Sequence, residues 1–210
     1  MMNYQDYVIK DGQFIGAFEA MYQDCDDPWR QTALDSPAYD VMLAWVEECR
    51  PRPSGWRRIL DVGCGLGRFT AALAERTGCP VIGLDISPTA VHKAAEQRPK
   101  GAAAFVAADA AALPFHAGAF DGVMISELMW YVLPSVERVL TEVAAALRSP
   151  GALWVLQHFY PPGVQQYGKD VMQDPEDCLG LIRRAGFSVK RFADMDRETN
   201  HKLVVFAEKP

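Results

Sequence analysis

Short apolar runs alternate with amphipathic stretches along most of the chain beyond residue 56. The apolar runs predict strands at residues 59–62, 80–84, 103–107, 120–125 and 152–157. Apolar positions spaced three and four apart predict helices at residues 68–76, 87–98, 135–148 and 175–185. Strands that alternate with helices are typical of a parallel sheet with helices on both faces.

Both ends of the chain depart from this alternation. Two apolar runs, at residues 187–192 and 202–207, predict strands that can pair with each other antiparallel. Residues 13–24 and 37–50 predict two helices ahead of the first strand, and Ser36 is a plausible N-cap of the second helix.

The proline-rich stretch at residues 50–55 predicts a linker into the main sheet. The sequence therefore indicates a single domain over residues 1–210. Residues 1–55 are expected to form an N-terminal helical lid segment, and residues 56–210 an α/β core.

Composition narrows the classes of function. The chain has 210 residues, half of them hydrophobic, and a net charge of −6. An acidic chain of this kind is not typical of nucleic-acid binders, which carry a basic excess or stripe. No apolar stretch approaches the ~18 residues of a membrane span, and the first residues lack the pattern of a secretory signal. The five cysteines are odd in number and form no CxxC pair, so we expect a reducing, cytoplasmic setting and no metal.

The stretch "ILDVGCGLGRFT" ends the first predicted strand and carries Asp61, Gly63, Cys64, Gly65 and Gly67. Glycines allow a sharp turn and a close approach of the backbone to a ligand, although a tight turn without any ligand is an alternative. A dinucleotide fingerprint would place its third glycine at position 68, which is arginine. The acid at 61 would also repel a pyrophosphate, whereas it suits a ligand that carries positive charge.

Further polar side chains follow the later strands. Asp85 ends the second strand, Asp109 follows the third, and Ser126 and Glu127 follow the fourth. Ligands of parallel sheets bind beyond the carboxyl ends of the strands. There, Asp85 could accept hydrogen bonds from ribose hydroxyls and Asp109 could accept one from an adenine amino group, although Asp85 could instead cap a helix. A cationic, adenosine-containing ligand without phosphate fits this pattern, and S-adenosylmethionine is such a ligand.

The ordered motifs "LDVGCGLGRFT", "VIGLDIS", "AADAAALPF", "FDGVMISELMWYVL" and "ALRSPGALWV" resemble those of class I S-adenosylmethionine-dependent methyltransferases. The resemblance runs from about Arg57 to the C-terminus. It implies an α/β, Rossmann-like fold, with a seven-stranded, mostly parallel sheet, its last strand antiparallel, and helices on both faces. It also implies that S-adenosylmethionine is the cofactor and S-adenosylhomocysteine its product.

The resemblance assigns cofactor contacts residue by residue. Asp61, Gly63, Cys64 and Gly65 are expected at the methionine part, and Asp85 at the ribose. Ile86 is expected to pack on the adenine, and Asp109 and Ala110 to approach its edge. The remaining cofactor contacts are expected from Ser126 and Trp29.

The sequence also limits the methyl acceptor. Enzymes that methylate base amines or glutamine resemble one another in an Asn/Asp-Pro-Pro-Tyr type of motif after the fourth strand, and residues 126–129 lack its prolines. We therefore expect transfer to a nitrogen or oxygen of a small molecule. The alternatives are a protein or nucleic-acid methyltransferase, and a methyltransferase-like partner subunit without catalysis. The intact glycine loop argues against that partner subunit.

Residues 22–40 combine acids with aromatic side chains, and they loosely resemble the N-terminal region of nodulation-type N-methyltransferases, which act on amines of sugar-derived compounds. We expect this segment to cover the cofactor, with Tyr22 among the substrate contacts. Packing of Trp29 onto the sheet is the alternative. Tyr131 and Tyr160, which follow the fourth and fifth strands, are the other expected substrate contacts.

Two residues are candidates for catalysis. His158 follows the fifth strand, and histidine suits a general base because its ordinary pKa lies near neutrality. Glu127 lies near the expected methyl position, as a substrate contact or base. A structural role is the alternative for His158, and a hydrogen bond to the loop backbone is the alternative for Glu127.

Overall fold

The computed structural model describes residues 5–30, 36–50, 55–97, 101, 103–161, 163–164, 167–195 and 201–210. Within these ranges the strands are β1 Ile9–Lys10, β2 Gln13–Phe14, β3 Ile59–Val62, β4 Val81–Asp85, β5 Ala103–Ala107, β6 Phe120–Ser126, β7 Leu147–Phe159, β8 Ser188–Met195 and β9 His201–Lys209. The helices are α1 Gln5–Val8, α2 Phe18–Asp24, α3 Pro37–Glu48, α4 Arg68–Thr77, α5 Pro88–Gln97, α6 Met129–Val132, α7 Val136–Ala146 and α8 Pro175–Arg184. A short 3₁₀ helix, Leu133–Ser135, joins α6 to α7.

In this part of the chain, seven strands form one sheet in the order β5-β4-β3-β6-β7-β9-β8. The strands from β5 to β7 pair in parallel, and β9 lies antiparallel between β7 and β8. The predicted fold, a mostly parallel sheet of seven strands whose last strand is antiparallel, is therefore confirmed. The central strands β3 and β6 are apolar along nearly their whole length because helices cover both faces.

One hydrophobic cluster lies on each face of the sheet. The first joins α7 and α8 to the strands through residues such as Val139, Leu140 and Ile182. The second joins α3 and α4 to the strands and is centred on Trp45 and Trp154. Since α3 packs on the sheet, the part of the N-terminal segment that lies apart from the core is shorter than residues 1–55.

The N-terminus differs from the prediction of a helix over residues 13–24. Residues 9–14 form a small hairpin, and α2 begins only at Phe18. Asp11 and Gly12 have φ angles of 50° and 73°, which are the two positive values of a type I′ hairpin turn. The Asp-Gly turn therefore joins β1 to β2. Strand β2 occupies the first two residues of the range for which a helix was predicted.

The N-terminal residues of two helices differ in their capping. Ser87 caps α5, because its hydroxyl accepts a hydrogen bond of 3.0 Å from the Ala90 amide. Ser36 occupies the predicted N-cap position of α3, but its side chain makes no capping hydrogen bond. Strand β7 is longer than predicted, because it pairs with β9 from Gly151 to Phe159.

Gly67, the third glycine of the loop after β3, is required by packing. Its φ angle is 68°, and a Cβ atom there would lie 2.4 Å from the ring of Phe105. We expect Gly67→Ala to lower the free energy of unfolding by about 2–3 kcal/mol, the sum of backbone strain and overpacking.

The matched control for this prediction is Gly78→Ala. Gly78 has a φ angle of 64°, but no atom lies within 4 Å of the added Cβ. It should lose only about 1 kcal/mol, from backbone strain alone. Denaturant unfolding measures both variants, and equal losses would show that the Phe105 contact is unimportant.

Candidate functional site

A cavity of about 630 Å³ opens at the carboxyl ends of the parallel strands. This volume lies in the range of small-molecule sites. Of the predicted site residues, those that line it are Tyr22, Trp29, Gly63, Asp85, Ile86, Asp109, Ala110, Ser126, Glu127, Tyr131, His158 and Tyr160. The topology thus brings together residues from both ends of the chain.

A smaller cavity of about 220 Å³ adjoins the first and is lined by Asp61 and Cys64. The two cavities share wall residues, namely Trp29, Tyr39, Gly63, Ser126, Glu127 and Lys202. Arg30 and Arg68 line the smaller cavity only. Together the cavities make one site with an apolar chamber and a charged chamber.

Asp61 is the buried acid of the charged chamber, with 1% of its surface exposed. The Thr70 hydroxyl donates a 2.6 Å hydrogen bond to its Oδ2. Burial raises the pKa of Asp61 to about 7, although the Thr70 hydrogen bond opposes the shift. A cation brought beside this carboxylate would therefore favour its ionised form.

Asp85 ties the glycine loop to the start of α5. Its Oδ2 accepts a 2.9 Å hydrogen bond from the Gly65 amide, and its Oδ1 accepts a 3.0 Å hydrogen bond from the Ser87 amide. Burial raises the pKa of Asp85, and these backbone hydrogen bonds oppose the rise. Asp85 thus binds the amide of Ser87, the residue that caps α5, and does not itself cap the helix; the same carboxylate also lines the main cavity. Gly65 itself lines neither cavity and reaches the site only through Asp85.

One end of the main cavity is formed by the residues that follow β4 and β5. Ile86 is 54% exposed, which is unusual for isoleucine and leaves an apolar surface for a ligand. Asp109 is exposed, and its Oδ1 accepts a 2.8 Å hydrogen bond from the Ala111 amide. Ala110 is buried beside it. An apolar platform with a carboxylate at its edge suits a flat, amino-bearing ring.

The N-terminal segment covers the cavity with aromatic side chains. Phe14, Phe18, Tyr22 and Trp29 all line the main cavity. The Trp29 indole donates a 2.8 Å hydrogen bond to the Tyr22 hydroxyl, and burial raises the pKa of Tyr22 well above its ordinary value. Tyr131 connects this cover to the core, because its ring centroid lies 5.2 Å from that of Trp29.

Glu127 lies directly after β6, and its carboxylate binds residues of β7 and β9. Its φ angle is 55°, in the left-handed region that is uncommon for a residue other than glycine. Its Oε2 accepts a 2.8 Å hydrogen bond from the His158 amide of β7, and its Oε1 pairs with the Lys202 ammonium of β9. His158 and Lys202 lie directly opposite each other in the β7–β9 pair. Glu127 thus makes the backbone hydrogen bond that was the alternative to a catalytic role.

The polar side of the main cavity also includes the His158 ring, the Tyr160 ring and the Tyr39 hydroxyl. The His158 and Tyr160 rings meet edge to face, with centroids 4.7 Å apart. Tyr39 hydrogen-bonds to Ser126, and burial raises the pKa of Tyr39 to about 12. At neutral pH the Tyr39 and Tyr22 hydroxyls are therefore protonated.

Several wall residues were not predicted. Lys202 comes from β9 and belongs to none of the sequence motifs. Tyr39 comes from α3 and lies in the aromatic segment 22–40, but it was not among the predicted site residues. Phe14 and Phe18 were hidden in a stretch interpreted as one helix. The Asp-Gly turn at residues 11–12 was the available signal for the hairpin that places Phe14.

Within the described ranges, no group of three or more histidine, cysteine, aspartate or glutamate side chains could hold a metal ion. No helix in the same ranges has both the length and the apolarity needed to cross a membrane.

Comparison with known proteins places this site in a family. A family model described as "Methyltransferase domain" matches residues 59–151. This range holds the glycine loop, Asp85, Asp109 and Glu127.

Among curated relatives, the chain is 33% identical to the O-methyltransferase cnsE of Penicillium expansum over 175 residues, which cover 76% of this chain and 62% of that protein. The chain spans about half the length of several curated relatives that it matches, from 37% to 62%.

Solved structures show the same fold. An S-adenosylmethionine dependent methyltransferase from Mesorhizobium loti has a TM-score of 0.65 and 20% identity, over 81% of this chain and 99% of that one. Phosphoethanolamine N-methyltransferase 2 of Haemonchus contortus, in complex with S-adenosyl-L-methionine, has a TM-score of 0.66 and 18% identity, over 81% and 52%.

Proposed function

The chain belongs to the class I S-adenosylmethionine-dependent methyltransferases, and from this premise we propose that it transfers a methyl group to a nitrogen or oxygen of a small-molecule acceptor. One observation carries the proposal: two buried acids beside the glycine loop, Asp61 and Asp85, face two adjoining cavities, and the larger of these is covered by aromatic side chains of the N-terminal segment.

The residues present fit the cofactor. The described side chains form no salt bridge with Asp61, so its buried carboxylate suits the ammonium of the methionine part. Asp85 faces the main cavity with the oxygen capacity that its backbone amide donors leave, and it can accept from ribose hydroxyls. Ile86 and Asp109 offer the surface and the edge for adenine. S-Adenosylmethionine, when bound, supplies an electrophilic methyl group on a positively charged sulfur.

The protein's own task is then to orient the acceptor and to exclude water, and orientation alone can supply much of a rate enhancement. Phe18, Trp29 and Tyr131 form an aromatic wall that suits a flat or apolar acceptor. His158 is the candidate general base when the acceptor arrives protonated.

Glu127 is better placed to position His158 than to act as a second base. Each of its carboxylate oxygens already accepts from a donor, one from the His158 amide and the other from Lys202. Its left-handed backbone conformation fixes the point at which β6 ends, next to Ser126.

A small acceptor suits the site better than a macromolecule does. The hairpin and α2 lie over the cavity and would obstruct a folded protein or a nucleic-acid strand. The curated relative named O-methyltransferase supports an oxygen acceptor, whereas the structure named N-methyltransferase, at 18% identity, supports the fold alone.

The proposal is tested by following label from methyl-labelled S-adenosylmethionine. The protein is incubated with a cell extract separated into small molecules, protein and nucleic acid, and with 2-naphthol and 2-naphthylamine as matched oxygen and nitrogen acceptors. We expect label in small molecules, accompanied by S-adenosylhomocysteine in equal amount. Asp85→Ala, assayed at a cofactor concentration that saturates only the parent, is the control with reduced transfer. Label confined to macromolecules, or no transfer at all, would contradict the proposal.

A further inference from the structure

Residues 5–30, here called the cover, are held on the core by Glu19. The Glu19 carboxylate does so by binding the start of α5. Glu19 lies in α2, and its Oε2 accepts hydrogen bonds of 2.5 Å from the Ser87 hydroxyl and 3.2 Å from the Thr89 amide. Its Oε1 accepts a 2.6 Å hydrogen bond from the Thr89 hydroxyl. One carboxylate from the cover is therefore bound by three donors of the core.

These donors belong to the first turn of α5. The first amides of a helix have no partner within the helix, and the positive end of the helix dipole favours an anion there. Ser87 satisfies the Ala90 amide from within the core, and Glu19 satisfies the Thr89 amide from outside it. The start of α5 is thus completed only while α2 is docked.

Farther along α5, Lys93 provides a second attachment. Its ammonium donates to the carbonyl oxygens of Tyr22 at 2.7 Å and Cys25 at 3.2 Å. Val8, Met21 and Tyr22 bury apolar surface against Leu66 and Ala90 beneath the cover. Lys93 and this apolar cluster hold α2 in place without a hydrogen bond to Asp85, so they anchor the cover independently of the hydrogen bonds that orient this carboxylate.

Glu19, by contrast, is connected to that carboxylate. The Ser87 hydroxyl donates to Glu19, and the Ser87 amide donates to Asp85 Oδ1 at 3.0 Å. Asp85 Oδ2 in turn holds the Gly65 amide of the glycine loop. A continuous line of hydrogen bonds therefore runs from the cover, through Ser87, to the acid proposed to hold the ribose.

We propose that Glu19 is a positioning residue for the cofactor: by closing the cover it fixes Ser87, and through Ser87 it fixes the orientation of the Asp85 carboxylate. This inference rests on the proposed function, because it assigns to Asp85 the ribose of S-adenosylmethionine. By linkage, the bound cofactor stabilises the docked cover by the same free energy with which the docked cover stabilises the cofactor.

Calorimetry with S-adenosylhomocysteine tests the affinity. We expect Glu19→Ala to weaken binding about tenfold, which corresponds to about 1.4 kcal/mol. Glu19→Gln keeps one oxygen acceptor and should lose less. Asp24→Ala is the matched control, because Asp24 is an acid of the same helix whose partner, the Tyr7 hydroxyl at 2.8 Å, lies within the cover. It should bind as the parent does.

Limited trypsin digestion measures whether the bound ligand protects the cover from cleavage. A purely structural role of Glu19 would leave this ligand-dependent protection unchanged. Lys10 lies in the cover, lines neither cavity and is exposed. We expect S-adenosylhomocysteine to slow cleavage at Lys10 in the parent and in Asp24→Ala, but much less in Glu19→Ala. Thermal unfolding, recorded in parallel, shows that digestion is carried out where every variant is folded.

The outcomes separate the two proposals. If Glu19→Ala binds the ligand as tightly as the parent and gains the same protection, the positioning role is wrong while the proposed function stands. If affinity falls but ligand-dependent protection persists in Glu19→Ala, the cover is not linked to the cofactor, which also contradicts the positioning role. If the parent itself binds no S-adenosylhomocysteine, both proposals fail.

Discussion

Replacement of Asp85 by alanine is expected to weaken binding of S-adenosylhomocysteine by roughly 200- to 1000-fold, or about 3–4 kcal/mol. Hydrogen bonds to a charged group contribute about 1.5–3 kcal/mol each, and water entering the mutant site recovers part of the loss. The structure adds a second cause, since Asp85 also holds the Gly65 and Ser87 amides. The glycine loop must therefore be reordered when the ligand binds to the variant.

Two variants make this result specific. Asp85→Asn keeps an oxygen acceptor and should lose clearly less affinity than the alanine variant. Asp109→Ala removes the carboxylate that follows the neighbouring strand and that accepts from the Ala111 amide. It should lose about tenfold or less in affinity. Calorimetry measures all three variants. Asp85→Ala binding as tightly as the parent would overturn the ribose assignment, and Asp85→Ala that does not fold would show that the role of the carboxylate is mainly structural.

Asp61 should make cofactor binding depend on pH. Its pKa in the folded protein is about 7, raised by burial, against an ordinary value of 3.8. A ligand ammonium favours the ionised carboxylate, so binding at pH 6 should release close to one proton. Affinity for S-adenosylhomocysteine should fall about 15-fold between pH 7 and pH 5.5. Calorimetry in buffers of different ionisation enthalpy measures both quantities.

Variants of Asp61 and its neighbour assign this pH dependence. Asp61→Asn should bind roughly 30- to 100-fold more weakly at pH 7, because it loses a charge-assisted hydrogen bond, and its affinity should vary little with pH. Thr70→Val removes the hydrogen bond that opposes the shift, so the midpoint should move to higher pH. An unchanged pH profile in Asp61→Asn would show that another group titrates.

The same raised pKa has a consequence for stability. The folded state favours protonated Asp61, so its contribution to the free energy of unfolding is fully present below about pH 4. That contribution is lost as the pH rises through the folded pKa of about 7. Unfolding of the ligand-free protein should show this decline, and Asp61→Asn should remove it.

The sequence predicted which acids lie at the same edge of the sheet because each acid follows an apolar strand. Parallel strands bring their carboxyl ends to one edge of the sheet, so Asp61, Asp85 and Asp109 had to lie near each other. The spacing of glycines in the loop likewise indicated a close approach of backbone, although Gly67 proves to be required by Phe105.

The acceptor side could be predicted only in part. Lys202 reaches the cavity because β9 lies between β7 and β8, and this pairing brings it opposite His158. Tyr39 reaches the cavity from α3, which packs on one face of the sheet. These positions depend on tertiary packing, which cannot be predicted from local helix and strand propensities or from the spacing of apolar residues. The missed hairpin is different, since its turn residues were visible in the sequence.

The aromatic cover described above leads us to expect a particular order of binding. Phe14, Phe18 and Trp29 line the cavity and belong to a segment that lies over the proposed cofactor positions at Asp85 and Ile86. Because the docked segment would obstruct entry to these positions, we expect the cofactor to enter before the segment closes and the acceptor to bind afterwards. We therefore expect an ordered sequential mechanism, in which the cofactor binds first and its demethylated product leaves last. That product should accordingly inhibit competitively against the cofactor and noncompetitively against the acceptor.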